Sequence, residues 1–194
     1  AIILADGVIG QMMEKVVLPA PRPRRTDEEV IAQCPWATTG RKNGRKPNII
    51  TSLELDPAIM EQRNIHLQQK YAEIEANEVR YEELQCEDAE YLIVAFGSCA
   101  RIAQKAMEHA REEGIKVGLF RPITLWPFPT KALRERASRI KGILTVELNS
   151  GQMIEDVRLA VECSIPVEHF GRLGGIVPDP DEVIEAIKEK LINK

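Results

Sequence analysis

The stretch YLIVAFGSCARIAQKAMEHAREEGIKVGLFRPITLWPFP, residues 91–129, decides the fold of this chain. Residues 91–96 form a short apolar run, which predicts a strand buried on both faces. Apolar residues then recur at helical spacing, and Gly114 stands where a left-handed C-terminal cap belongs. A second apolar run at residues 117–120 completes a β-α-β unit, whose two strands we expect to be parallel.

The same alternation of strands and helices continues to the end of the chain. Thr130 is expected to cap a short helix that Gly142 ends, and residues 143–148 predict the next buried strand. A further helix and a last strand at residues 167–170 follow it. Asp179 and Pro180 then open a final helix, with Glu182 completing a capping-box pattern.

The chain before residue 79 has a different character. Residues 1–5 read as part of a buried strand, which suggests a fragment whose upstream domain is missing. Residues 19–55 are rich in proline and basic residues, so we expect a linker. Asp56 and Pro57 mark the start of a long helix with a narrow apolar stripe.

Composition excludes several classes of function. The net charge of −4 argues against nucleic acid as a partner, and no apolar run is long enough to span a membrane. Neither a dinucleotide fingerprint nor a P-loop is present, and His109 and His169 are interpreted as structural. The scattered cysteines favour reduced thiols in a cytoplasmic protein over a metal site, and they are the following four: Cys34, Cys86, Cys99 and Cys163.

Candidate site residues lie beyond the carboxyl ends of the predicted strands, where ligands of such folds gather. The first places are Gly97-Ser98 and Arg121-Pro122. A third is the strand-to-helix turn at residues 147–152, which contains Glu147, Asn149, Ser150, Gly151 and Gln152. The backbone N–H groups of this turn could hold an anion or a carbonyl. Alternatively, Asn149 or Ser150 caps the helix and Gly151 makes the bend, and both interpretations stay open.

Four motifs together carry a family resemblance. They are ADGVIGQMMEKVVLP (residues 5–19), LFRPITLWPFP (119–129), VELNSGQMIEDVR (146–158) and GRLGG (171–175). In this order they resemble the α subunit of the thiamine-diphosphate-dependent 2-oxoacid:ferredoxin oxidoreductases. The resemblance covers the whole chain. Its segment from Pro35-Trp36 to Tyr81 is most similar to the 2-oxoisovalerate (branched-chain) branch, with the 2-oxoglutarate branch next.

The resemblance implies a fold and a domain plan. Residues 1–18 would end an upstream pyrimidine-binding domain, and residues 56–78 would be a connecting helix. Residues 79–194 would form a domain similar to the transketolase C-terminal domain, a Rossmann-like three-layer α/β/α fold. Its five-stranded mixed sheet would have the order 1-3-2-4-5, with residues 79–84 as the antiparallel edge strand.

The resemblance also implies a reaction, the oxidative decarboxylation of a 2-oxoacid to an acyl-CoA with reduction of ferredoxin. Thiamine diphosphate, Mg²⁺ and iron–sulfur clusters belong to the complete complex, and none is expected to bind this fragment alone. The implied partners are subunits of the β, γ and δ types, ferredoxin and coenzyme A. No catalytic residue can be carried onto this chain. We therefore expect a scaffold that docks subunits, with Arg121 and residues 147–152 as a candidate interface or active-site wall.

Other classes remain open. The chain could come from a 2-oxoglutarate- or pyruvate-specific member of the same family, or it could be a non-catalytic α/β binding module. A transketolase or a two-component branched-chain dehydrogenase would share the domain, but we would not expect it to carry the LFRPITLWPFP and VELNSGQM motifs in this form.

Overall fold

The computed structural model of this chain describes residues 7–13, 15–34, 36, 46, 49 and 51–193. The chain divides into two units, Ala1–Gln69 and Lys70–Lys194. The strand expected at residues 1–5 lies outside the described residues, and so does the basic stretch at residues 41–45. Within the described part of the chain, no helix is both long and apolar enough to cross a membrane.

The first unit contains one helix that the proline-rich composition had hidden. After a 3₁₀ turn at Ile9–Gln11, helix α1 spans Asp27–Gln33, inside the segment expected to be a linker. Thr26 Oγ1 accepts a hydrogen bond from the Glu29 N–H at 3.3 Å, and the Glu29 carboxylate accepts one from the Thr26 N–H at 2.9 Å. This capping box satisfies two N–H groups that would otherwise lack partners, so it defines where α1 begins.

The long helix α2 spans Pro57–Asn77 and begins as expected. Asp56 Oδ1 accepts hydrogen bonds from the N–H groups of Ala58 at 2.9 Å and Ile59 at 3.3 Å. Proline at the first helical position costs nothing there, because its missing N–H would have had no partner within the helix.

The second unit is built on one five-stranded sheet. Its strands run in the order β1-β3-β2-β4-β5, and β1 pairs antiparallel with β3 while the other pairs are parallel. This confirms the predicted sheet order and the antiparallel edge strand. The strands span the following ranges: β1 Tyr81–Leu84, β2 Tyr91–Ala95, β3 Val117–Pro122, β4 Gly142–Glu147 and β5 Val167–Gly171.

Helices cover both faces of the sheet, which confirms the three-layer architecture. Helices α3 (Gly97–Glu112) and α6 (Pro180–Ile187) pack on one face, and α4 (Thr130–Ala137) and α5 (Met153–Ala160) pack on the other. A π-helical turn at Lys188–Ile192 follows α6. Because side chains alternate along a strand, Ile93 packs into the core on the α3 and α6 face, while Leu92 and Val94 pack into the core on the α4 and α5 face.

In the second unit, two element ends follow the expected capping rules and two depart from them. Gly114 has φ +85° after α3, and Asp179 forms the predicted capping box before α6. The prediction that Thr130 caps α4 was wrong, because Pro129 occupies the cap position and Thr130 is already helical. The prediction that Gly142 ends this helix was also wrong. Helix α4 ends at Ala137, and Gly142 begins β4.

Arg136 ties the edge strand to the helical layer. Its guanidinium donates to Glu83 Oε1 at 3.0 Å and Oε2 at 2.5 Å, and to Glu87 Oε1 at 2.9 Å. These carboxylates raise the pKa of Arg136 above its usual value. A bidentate pair with low exposure contributes more than an ordinary surface ion pair, because both geometry and partial desolvation favour it.

Burial sets the reactivity of the cysteines. Burial, followed by the nearby Glu83 carboxylate, raises the pKa of the Cys86 thiol to about 11, whereas Cys163 is exposed. Because the thiolate is the reactive form, Cys86 should react far more slowly than Cys163 with iodoacetamide at pH 8. Peptide mass spectrometry after timed labelling measures this. All four cysteines should react in denaturant, and equal native rates would contradict the described packing.

The boundaries of the linker can be tested by limited proteolysis. We predict first cuts by trypsin near residues 22–25 or 41–45, and a resistant fragment that ends at the C-terminus. Residues 91–170 should resist, because their backbone lies in the sheet and the helices packed on it. Mass spectrometry of early fragments locates the cuts. First cuts inside residues 91–170 would contradict the linker prediction.

Candidate functional site

The turn between β4 and α5, residues 147–152, connects a fully buried strand to a helix on one face of the sheet. We call it the β4–α5 turn. Strand β5 lies beside it, because Glu147 is in register with Gly171. The carboxyl ends of two parallel strands and the start of a helix therefore meet here, which is the usual location of ligands in this class of fold.

Glu147 caps helix α5 from inside the protein. Only 1% of this residue is exposed. Its Oε2 accepts hydrogen bonds from the N–H groups of Gln152 at 3.2 Å and Met153 at 2.8 Å, and its Oε1 accepts one from Ile154 at 3.1 Å. These are N–H groups of the first helical turn, so the carboxylate also interacts favourably with the helix dipole. The anion that the sequence suggested for this helix start is thus supplied by the chain itself.

Asn149 and Gly151 shape the rest of the turn. Asn149 Oδ1 accepts a hydrogen bond from the Gly151 N–H at 2.7 Å, which closes an Asx turn. Gly151 has φ +106°, a conformation that other residues rarely adopt. Of the two interpretations of this turn, the described contacts favour turn formation and capping. Gln152 occupies the N-cap position, and the side chain that accepts from the helix start is Glu147 rather than Asn149 or Ser150. Ser150 and Gln152 are exposed.

His169 on β5 connects the turn to the neighbouring strand. Its Nε2 lies 3.2 Å from the carbonyl oxygen of Asn149 and is placed to donate to it. Its Nδ1 lies 3.2 Å from Thr145 Oγ1 and 3.6 Å from Glu147 Oε1. Because both ring nitrogens face protein groups, His169 holds the turn in place.

Gly171 allows this close approach. A Cβ atom at this position would lie 2.3 Å from the carbonyl oxygen of Asn149 and 2.5 Å from His169 Nε2, and neither distance is sterically possible. Gly171 is the first glycine of the GRLGG motif, whose role spacing alone did not show. The sequence analysis also missed Thr145 and the link through His169, since only the register of β4 and β5 brings them together.

Arg121 is not part of this cluster. It lies on β3, and β2 separates that strand from β4. Its guanidinium pairs with Glu82 of the antiparallel edge strand at 2.9 Å, and its side chain is 42% exposed. The structure therefore brings together the candidates at residues 147–152 and leaves Arg121 at a separate position on the sheet.

The described residues do not fit the diphosphate or metal of a thiamine cofactor. Among them, no group of three or more His, Cys, Asp or Glu side chains could hold a metal ion. The N-terminus of α5, which could otherwise take a phosphate, already holds the Glu147 carboxylate.

Comparison with known proteins gives three relevant matches. Residues 89–183 match the family model "Pyruvate:ferredoxin oxidoreductase core domain II". The ketoisovalerate oxidoreductase subunit VorB of Methanothermobacter thermautotrophicus is 45% identical over 191 residues, which cover 97% of this chain and 51% of that protein. The 2-oxoglutarate synthase subunit KorA of Archaeoglobus fulgidus is 27% identical over 193 residues, covering 98% of this chain and 53% of that protein. The chain thus spans about half the length of these curated relatives.

A solved structure supports the fold. The 2-oxoglutarate:ferredoxin oxidoreductase of Magnetococcus marinus, solved with 2-oxoglutarate, coenzyme A and succinyl-CoA bound, aligns with a TM-score of 0.64 at 24% identity. The alignment covers 79% of this chain and 28% of that one. At this identity the likeness establishes the architecture alone.

The cap formed by Glu147 can be tested through stability. We predict that Glu147→Ala lowers the free energy of unfolding by about 2–4 kcal/mol, because it leaves three N–H groups without their charged acceptor. Glu147→Gln keeps one acceptor oxygen and should lose less. Urea unfolding followed by circular dichroism measures both changes. The control is Glu155→Gln, an exposed acid on the same helix, which should change stability by less than about 0.5 kcal/mol. An equally small loss for Glu147→Ala would contradict the capping role.

Proposed function

Because homologues of this chain are subunits of 2-oxoacid:ferredoxin oxidoreductases, we propose that it is the C-terminal part of the α subunit of such an enzyme. The substrate we propose is 2-oxoisovalerate, which the enzyme would decarboxylate oxidatively to an acyl-CoA while reducing ferredoxin. The observation that carries this proposal is the 45% identity to a ketoisovalerate oxidoreductase subunit over 97% of the chain.

The proposed role of the described domain is to support and dock the other subunits. Those partners would be subunits of the β, γ and δ types in a cytoplasmic complex that also meets ferredoxin and coenzyme A. Thiamine diphosphate, Mg²⁺ and the iron–sulfur clusters would be bound outside the described residues of this chain. Two features support a docking role. Hydrogen bonds of Glu147 and His169 hold the β4–α5 turn in one conformation, and the turn exposes Ser150 and Gln152.

A rigid turn is suited to docking, because little conformational entropy is lost when a partner binds it. Glu147 and Asn149 are occupied by contacts that maintain the turn, so they would position the surface without touching a partner. Ser150 and Gln152 would form the contact itself. Arg121 would contribute separately, from the carboxyl end of β3.

The second candidate function is the 2-oxoglutarate-specific enzyme of the same family. The 27% identity to a 2-oxoglutarate synthase subunit over 193 residues keeps it open. The higher identity to the ketoisovalerate subunit over nearly the same length favours the branched-chain substrate. Comparing the rates of the assembled enzyme on 2-oxoisovalerate, 2-oxoglutarate and pyruvate decides among them.

The docking role predicts that a substitution in the turn can weaken subunit assembly without changing the stability of this chain. Gln152→Ala in the complete complex should weaken subunit assembly or lower activity, while the melting temperature of this chain should stay unchanged, because an exposed side chain contributes within about 0.5 kcal/mol. Asn149→Ala should reduce both, since Asn149 also closes the turn. Size-exclusion chromatography and calorimetry measure the two effects. The control is Gln104→Ala on the exposed face of α3. Normal assembly and normal activity of the Gln152→Ala complex would contradict a docking contact through Gln152.

We further predict that this chain alone is inactive. Cofactor sites shared between subunits need all their contacts assembled before the separate groups act together. Calorimetry with thiamine diphosphate and Mg²⁺ should show no saturable binding, and viologen reduction by 2-oxoisovalerate should equal the blank. Supplying the partner subunits, together with the rest of a full-length relative, should restore both. Saturable binding by the chain alone would mean that one of its loops holds the cofactor.

A further inference from the structure

A groove with aromatic walls lies beside the edge strand of the sheet. It encloses about 610 Å³ and is lined by residues from the end of α2, from β1 and from the start of α4. We call it the aromatic groove. Its lining consists of Glu75, Val79, Tyr81, Phe128, Pro129, Thr130, Lys131, Ala132 and Glu135.

The aromatic side chains here are exposed yet held in fixed positions. The Tyr81 ring stacks on the buried Phe120 ring at 5.1 Å between centroids, and Tyr81 is 41% exposed. Trp126, two residues before Phe128, is 54% exposed and meets Tyr71 edge-on at 5.6 Å. Tyr71 lies one helical turn before Glu75, so this pair flanks the groove. Exposed and rigid aromatic rings are typical of protein-binding surfaces, because they bury much area at a low cost in entropy.

The groove is acidic. Glu75 and Glu135 contribute two carboxylates to the lining, against one ammonium from Lys131. A neighbouring depression shares Tyr81, Ala132 and Glu135 with it. That depression adds the carboxylates of Glu83 and Glu87, which pair with Arg136, and the guanidinium groups of Arg136 and Arg139. A segment that binds there should therefore have an extended backbone, apolar side chains and positively charged side chains.

The same chain contains a segment of this chemistry. Residues 16–25, VVLPAPRPRR, are all described, lie outside every helix and strand, and are exposed. We call them the proline–arginine segment. Its three apolar leading residues, Val16, Val17 and Leu18, are 76%, 78% and 82% exposed. The alternating prolines at 19, 21 and 23 favour a polyproline II conformation, and arginines stand at 22, 24 and 25.

We propose that the aromatic groove of one copy of this chain binds the proline–arginine segment of a second copy. Polyproline II segments dock into aromatic-lined grooves, since the extended conformation is already formed and little entropy is lost. The arginines would then meet the carboxylates of Glu75 and Glu135. Reciprocal exchange of the segment gives a closed two-fold dimer, in which both copies use the same pair of surfaces.

The test uses the full 194-residue chain and charge reversal at exposed positions. The groove variant is Glu75→Lys with Glu135→Lys, and the segment variant is Arg22→Glu with Arg24→Glu. Light scattering after size-exclusion chromatography, over a concentration series, should show a dimer for the unaltered chain. Either variant alone should raise the dimer dissociation constant at least about tenfold, because like charges then face each other.

Mixing the groove variant with the segment variant gives a more specific test than either variant alone. In a mixed dimer of the groove variant and the segment variant, each groove meets a segment of opposite charge, so equimolar mixing should restore the dimer. The matched control is Glu112→Lys with Glu189→Lys, which makes the same change in charge at exposed positions on α3 and on the π-helical turn and should leave the dimer intact. A synthetic peptide of residues 15–26 should compete for the groove and convert the unaltered dimer to monomer.

Three results would overturn the proposal. They are a monomeric unaltered chain, a dimer insensitive to both variants, and a mixture that stays monomeric. None of these results depends on the proposed oxidoreductase activity, which the assembled complex tests separately.

Discussion

A single buried carboxylate determines the shape of the carboxyl end of this sheet. Glu147 ends the fully buried strand β4, and its two carboxylate oxygens accept hydrogen bonds from three N–H groups at the start of α5. Burying a carboxylate is costly, and these charge-assisted hydrogen bonds offset the cost. This contact fixes the start of α5, and His169, positioned by the register of β4 and β5, contacts the carbonyl oxygen of Asn149 in the same turn. The exposed residues of the turn are consequently presented on a rigid base.

Much of the architecture was predictable, because it rests on patterns that are local in sequence. The β-α-β unit at residues 91–129 follows from two apolar runs, one amphipathic helix and Gly114. The strand order came from the family resemblance, since apolar runs show that strands are buried without showing which strands are neighbours. Helix α1 was missed for a related reason. Its capping box is visible at residues 26–29, but prolines and arginines dominate the surrounding composition.

The candidate site was harder to predict. Asn149 and Gly151 have turn-forming chemistry that sequence alone indicates. The contacts of Glu147 and His169 depend on tertiary structure, because β4 and β5 are separated by a helix and meet only through sheet register. The backbone N–H groups at this helix start suggested an anion site, and their hydrogen bonds show that the Glu147 carboxylate is itself the anion. The requirement for Gly171 likewise follows from an approach between strands that no local pattern describes.

The residues of this cluster lie two positions apart in sequence, which gives the cluster a compact signature. Thr145, Glu147, Asn149 and Gly151 occupy every second position, and His169 and Gly171 do the same on the next strand. A sequence search for T-x-E-x-N-x-G followed by H-x-G therefore selects proteins by the residues that form this turn rather than by overall similarity. A related protein with this backbone but an apolar residue in place of Glu147 would have three inward-facing N–H groups at its helix start. Such a protein would have to satisfy these groups with water or with an anion from solution, so one substitution separates a self-capped turn from one that is open to a phosphate or a carboxylate.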